Sequence, residues 1–258
     1  FFAREVGHEN ALATVAYPSP FDFTRQALAV AVRQGPDPRD PGWAEATADT
    51  LARLMDAPGR KTLALFTSYR DLDAVRAALE PLRSEPARAV QLGLGQSVPV
   101  QSVKTPYAVF AQGEDGAAGD VLRRFRAAPR GLLLGTASFW EGVDLPGDDL
   151  EVLVLTRLPF GVPTDPRFEA RSERLEAEGG NPFCSLYLPE ALLRFKQGIG
   201  RLIRRASDRG ILAVLDPRLT GKSYGRRFQA ALPLPLTPVR DGAELAERAA
   251  AWWDREGR

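Results

Sequence analysis

Thr62-Leu63-Ala64-Leu65-Phe66-Thr67-Ser68-Tyr69 reads as a short apolar run closed by hydroxyl-bearing residues, after which Asp71 to Leu82 changes to helical spacing. The run is nearly continuous in apolar character, as a strand is when both its faces are buried in a parallel sheet. Outward from it, Gly131 to Leu134, Glu151 to Leu155 and Ile211 to Leu215 repeat the pattern. Helical patterns lie around and between these runs, at Trp43 to Asp56, Gly119 to Ala127, Phe168 to Glu178, Leu188 to Arg205 and about 241–255. Strand then helix, repeated, predicts an α/β fold: a doubly wound, mostly parallel sheet with helices on both faces. Gln34 to Gly42, rich in Pro and Gly, is expected as a surface loop. Gln91 to Gly119 is polar and the least regular part, with two short strands expected near Ala89 to Leu92 and Tyr107 to Phe110. No internal repeat interrupts the order, so residues 1–258 are expected as one domain with its core at about 18–232.

Composition bounds the answer. With 44% hydrophobic and 26% charged residues over 258 positions, the chain has apolar side chains enough for a core, which excludes disorder and collagen. A single cysteine, Cys184, cannot close an internal disulfide, build a tetrahedral zinc site alone or hold an iron–sulfur cluster, so an intracellular, metal-free chain is expected. No apolar run reaches the roughly 18 residues of a membrane helix. Phe1-Phe2-Ala3-Arg4 is neither a signal peptide nor a start methionine, and a piece of a longer protein is expected. The net charge of +1 means that any nucleic-acid surface must be a local stripe. Of the 34 basic residues only Lys61, Lys104, Lys196 and Lys222 are not Arg, a bias that suits planar phosphate recognition and equally a GC-rich genome.

The pattern from Leu188 to Arg205 carries the most chemistry. Leu188, Ala191, Leu192, Phe195, Ile199, Leu202 and Ile203 recur at helical steps and form one apolar face. On a continuous helix Gln197, Arg201 and Arg204 fall within roughly 60° of one another on the opposite side, with Arg194 alongside. Gly198 and Gly200 each cost about 1 kcal/mol relative to Ala, which is best explained if the polar side must approach another surface closely. Taken alone, the arginine stripe fits a solvated amphipathic helix equally well.

Gln197-Gly198-Ile199-Gly200-Arg201-Leu202-Ile203-Arg204 resembles motif VI, Gln-x-x-Gly-Arg-x-x-Arg, of superfamily 2 helicases. Gly135-Thr136-Ala137-Ser138-Phe139-Trp140-Glu141-Gly142-Val143-Asp144 is similar to the motif V region of the DinG/XPD branch, and Phe66-Thr67-Ser68-Tyr69 to motif IV. Arg157-Leu158-Pro159-Phe160 and Leu215-Asp216-Pro217-Arg218-Leu219 also resemble the bacterial DinG pattern. The resemblance runs from about Pro18 to about Leu232 and implies the second RecA-like domain of an ATP-dependent DNA helicase that moves 5′-to-3′ on single-stranded DNA, in the cytoplasm, with a role in repair or replication.

It also implies roles. Arg201 and Arg204 would stabilise charge on the γ-phosphate from outside its cradle, and Gln197 would bond phosphate or the attacking water, unless it is a helix-surface amide. Gly200 and Gly142 would allow close approach to the nucleotide. Asp144 would accept from the ribose and Glu141 would link that site to the DNA track; turn formation or helix capping is the alternative for both carboxylates. Thr67, Ser68, Tyr69, Thr136, Ser138, Trp140, Arg157 and Phe160 would meet single-stranded DNA, since all follow parallel strands at their carboxyl ends. Trp140 and Phe160 are equally readable as packing residues. ATP would bind between this domain and a first RecA-like domain of the same protein, which brings Mg²⁺ and, in many members of that family, an iron–sulfur cluster.

No phosphate cradle is readable in the chain itself. Asp216-Pro217-Arg218-Leu219-Thr220-Gly221-Lys222-Ser223 ends like a phosphate loop, but Asp216 stands where Gly is needed and Pro217 removes a backbone amide, so a strand end, a turn and a helix start are expected. The chain alone is therefore expected not to hydrolyse ATP. The other function class is a RecA-like module that grips nucleic acid or protein without turnover; two arginines in motif VI register argue against it.

Overall fold

A computed structural model describes residues 19–84, 107–113, 115–136, 139, 144–161 and 166–256. Its sheet has seven strands: β1 (Ala27–Val32), β2 (Thr62–Leu65), β3 (Ala108–Ala111), β4 (Gly131–Gly135), β5 (Val152–Leu155), β6 (Gly210–Val214) and β7 (Leu236–Val239). Their order is β3-β4-β2-β5-β6-β1-β7 and every pairing is parallel. Helices α1 (Phe23–Gln26), α2 (Trp43–Asp56), α3 (Tyr69–Ser84), α4 (Ala118–Ala127), α5 (Pro166–Ala177), α6 (Leu188–Ile199), α7 (Arg218–Gly221), α8 (Gly225–Ala231) and α9 (Gly242–Glu256) complete the framework.

Strand periodicity sorts the core into two layers, because successive side chains point to opposite faces. Ala29, Leu63, Leu133, Leu153 and Leu212 pack on one face with Phe125 of α4, Phe195 of α6 and Phe228 of α8. Val30, Ala64, Leu132, Val154 and Ile211 pack on the other face with Leu51 of α2, Leu72 of α3 and Leu245 of α9. The doubly wound sheet expected from the sequence is present.

Two strands went unread. β1, Ala-Leu-Ala-Val-Ala-Val, is half alanine, a residue that favours helix, yet it lies buried between β6 and β7. β7 contains Pro238, which removes a ladder donor, and the chain tolerates it because β7 is an edge strand paired only with β1. Of the irregular segment, Ala108–Ala111 is the edge strand β3 on the other side, and the strand expected near Ala89 to Leu92 lies outside the described residues.

One helix needs correction. The pattern from Leu188 to Arg205 predicts a single helix, but α6 stops at Ile199. Arg201 donates to the Gly198 carbonyl and Leu202 to that of Ile199, so the chain tightens into three-residue turns after two glycines that weaken the last helical turn. Leu202 then packs against Gly210 at the start of β6, where an added Cβ would lie 2.4 Å from its Cγ. Arg201 and Arg204 thus leave the helix and sit on the connection to β6. Gly198 is buried on the core side, so close approach of another surface to the polar side of the helix does not account for it. At its other end α6 continues a π-helical turn, Phe183–Tyr187, that the sequence did not suggest.

Candidate functional site

Those of the residues singled out in the sequence that are described gather at the two ends of the strands. At the carboxyl rim, the segments after β4, β2, β5 and β6 lie side by side, because those strands are consecutive in the sheet. Ser68 caps α3: its Oγ accepts from the Asp71 N–H at 3.2 Å, which is why that helix begins two residues before the predicted start. Tyr69 follows, 51% exposed, one of the few large apolar-bodied side chains left open to solvent. Thr67 is half-buried beside it.

Gln112, just past β3, ties three strand ends together. Its Nε2 donates to the Tyr69 hydroxyl at 2.8 Å, while its Oε1 accepts from the Thr136 N–H at 2.8 Å and the Thr136 hydroxyl at 3.0 Å. Thr136 is buried and its hydroxyl proton points inward to this amide. Gln112 was missed in the sequence because it sits in the irregular segment, where nothing but its position after a weak strand marks it.

Arg157 is held inside the rim. Its Nη1 lies 3.2 Å from Asp71 Oδ2, its Nη2 donates to the Pro38 carbonyl, and its guanidinium covers the Trp43 ring at 4.7 Å. Burial holds its basicity below that of a free arginine. Phe160 packs among aromatics, 5.7 Å from Phe183 in a stacked arrangement and edge-on to Tyr224 and Phe228. Asp216, 0% exposed, joins the ends of β5 and β6: Oδ2 accepts from the Leu158 N–H at 2.8 Å and from Arg218 Nη2 at 2.6 Å, and Oδ1 from the Arg218 N–H at 3.0 Å. That bond keeps Arg218 more basic than usual. The loop that imitates a phosphate cradle is thus a buried carboxylate, a turn and the short helix α7.

At the amino ends of the strands, Gln197, Gly200, Arg201, Ile203 and Arg204 line an open groove of about 680 Å³ together with Phe21. The three side chains expected on one helix face therefore do share one surface, although two of them reach it from the turn. Among the described residues nothing presses on Gly200, whose added Cβ would meet only its own helix carbonyls at 3.6 Å and beyond. Arg204 is ion-paired with Asp144, whose carbonyl accepts from Arg126. Asp144, in the stretch that resembles motif V, and Arg204, in the stretch that resembles motif VI, are 60 positions apart in sequence and in contact.

Ser138, Trp140, Glu141 and Gly142 lie outside the described residues. The described residues that flank them are Thr136, at the carboxyl rim, and Asp144, beside Arg204. Among the described residues no group of three or more His, Cys, Asp and Glu is placed to hold a metal ion, and no helix is long and apolar enough to cross a membrane.

Comparison with known proteins gives this geometry a context. Residues 51–234 match the family described as helicase C-terminal domain. The ATP-dependent DNA helicase YoaA of Escherichia coli is 38% identical over 243 residues, covering 93% of this chain and 34% of that protein. The ATP-dependent helicase DinG of Mycobacterium tuberculosis is 37% identical over 216 residues, covering 83% of this chain and 29% of that protein. The protein of Bacillus subtilis named 3′-5′ exonuclease DinG is 36% identical over 90% of this chain and 23% of its own length. The chain thus spans about a third or less of these relatives. Among solved structures, XPD from S. tokodaii (Xpd4) superposes with a TM-score of 0.56 at 18% identity, over 90% of this chain and 42% of that one, a likeness of fold.

Proposed function

Because the chain belongs to the helicase C-terminal domain family, we propose that it is the second RecA-like motor domain of an ATP-dependent DNA helicase of the DinG type, moving 5′-to-3′ in the cytoplasm. One observation carries this reading: Gln197, Gly200, Arg201 and Arg204 converge on one open groove, and Arg204 meets Asp144 there. Two guanidinium forks and an amide around a groove fit the outer half of a triphosphate site, since all three donate to oxygen anions. In this proposal a first RecA-like domain of the same protein closes over the groove with the phosphate cradle and Mg²⁺. A cysteine-held iron–sulfur cluster does not fit this chain, whose single cysteine is Cys184.

What the chain's own residues do then follows. Arg204 exchanges its Asp144 partner for the γ-phosphate, Arg201 neutralises charge beside it, and Gln197 orients the attacking water or a phosphate oxygen. Asp144, freed, accepts from the ribose. Both domains must close for these donors to reach the phosphate, so turnover depends on assembly. The isolated chain is expected to show no DNA-stimulated ATPase activity while still binding single-stranded oligonucleotide weakly and with strong salt dependence. ATPase assays on the chain alone and on the chain joined to the first domain test this: turnover by the chain alone refutes the proposal, and recovery on joining supports it against a turnover-free binding module.

The carboxyl rim is assigned to single-stranded DNA. Tyr69 offers an exposed ring whose hydroxyl is tethered by Gln112, an arrangement that pre-organises a stacking surface at little entropic cost. Thr67, Ser68 and the amides around them supply phosphate contacts; Arg157 joins them once Asp71 releases it, and Phe160 supports the rim from its aromatic cluster. Tyr69→Ala should weaken oligonucleotide binding by about 1 to 3 kcal/mol with little change in melting temperature. A fluorescence titration and a melting curve on the same preparation decide this, and a large melting shift with unchanged binding would make the ring structural.

A further inference from the structure

With Arg204 on a turn and not on a helix, its position has to be fixed by something other than a helical ladder, and the structure supplies it. Asp208 is 5% exposed, and its Oδ2 accepts from the backbone N–H groups of both Arg204 and Arg205 at 2.9 Å. On the far side Gln26, the last residue before β1, directs its Nε2 at three carbonyls of the same turn: Arg205 at 2.9 Å, Asp208 at 3.0 Å and Ala206 at 3.1 Å. β1 and β6 run side by side from Ala27 and Gly210, so Gln26 and Asp208 stand on adjacent strand starts of the rigid sheet. A buried carboxylate accepting two consecutive N–H groups fixes the peptide on either side of the Arg204 Cα, and charge-assisted bonds of this kind are about twice as strong as neutral ones.

We infer that Asp208 and Gln26 are positioning residues that hold the Arg204 backbone so that its guanidinium meets the nucleotide groove. Neither residue belongs to the motif VI stretch, and neither lines the groove. Both act through Arg204. The inference rests on the reading of Arg204 as the residue that meets the γ-phosphate. A displacement of the reacting group by about 1 Å is enough to lower a rate on the order of 10²-fold, which sets the size of the effect.

The test uses the full-length protein and measures kcat and KM for ATP together with melting temperature. Asp208→Ala should lower kcat on the order of 10²-fold, and Asp208→Asn, which keeps one acceptor oxygen, should lower it less, KM changing little in both. Gln26→Ala, outside the groove lining, should lower kcat in the same sense and provides the readout if Asp208→Ala fails to fold. In an Arg204→Ala background each of these substitutions should cost almost nothing further, because the group they position is gone. Equal losses of kcat in both backgrounds, or normal kcat in Asp208→Asn and Gln26→Ala, would overturn the inference. If Arg204→Ala itself turns over normally, the reading of Arg204 falls and this inference with it. A full effect of Arg204→Ala beside silent Asp208 and Gln26 variants overturns the positioning role alone.

Discussion

Arg204→Ala in the full-length protein is expected to lower ATP turnover by about 10³-fold or more, the range for an arginine that stabilises the phosphoryl transition state from outside the cradle. Ground-state nucleotide binding should suffer less, because the charge that Arg204 meets develops during transfer. Arg204→Lys should recover only part of the loss, since a point ammonium cannot reproduce a two-pronged contact. Arg205 is the internal control. Its side chain is exposed, its backbone shares the Asp208 carboxylate with Arg204, and Arg205→Ala leaves that bond in place. Steady-state ATPase measurements on these variants and on Arg201→Ala separate the possibilities: equal losses at 204 and 205 mean a diffuse basic patch, and near-normal turnover in both Arg201→Ala and Arg204→Ala removes the assignment of the groove to ATP.

The inner strands β2, β4, β5 and β6 were legible because burial on both faces forces an unbroken apolar run, and the helix at Trp43–Asp56 was placed to the residue because a Pro/Gly loop precedes it. β1 was not, since its alanines carry no strand signature and only its place between two neighbours explains it. Gln197, Arg201 and Arg204 were found by their spacing, but the spacing led to the wrong local structure. Leu202 and Ile203 are apolar in either geometry and bury in both, so periodicity alone cannot separate a helix that continues from one that ends in tight turns at Gly198 and Gly200. What decides is tertiary: Gly210 leaves the space that Leu202 fills, and Asp208 captures the two amides that a longer helix would have turned inward. Gln112 was invisible for the same kind of reason. One amide joining Tyr69 to Thr136 across three strand ends has no local pattern, and its partners are 43 and 24 residues away.

Asp216→Ala should have the largest effect on stability among single substitutions at the rim, about 3 kcal/mol or more in denaturant unfolding of the chain. The carboxylate is fully enclosed and accepts from the Leu158 N–H at 2.8 Å, the Arg218 N–H at 3.0 Å and the Arg218 guanidinium at 2.6 Å. Alanine removes all of these acceptors at once. The half-exposed side chain of Arg218 can turn toward water, which moderates the loss, whereas the Leu158 amide has no such escape. Asp216→Asn keeps one acceptor oxygen and should cost less. Arg218→Ala tests the pair from the other side: it removes the guanidinium but leaves the carboxylate its two backbone N–H donors, so it should cost less than Asp216→Ala. Urea midpoints at unchanged slope give these differences directly. If Asp216→Ala moves the midpoint by under about 1 kcal/mol equivalent, the tie between the ends of β5 and β6 is not what holds the rim, and the resemblance of this loop to a phosphate cradle has to be explained some other way than by a carboxylate that fastens two strands.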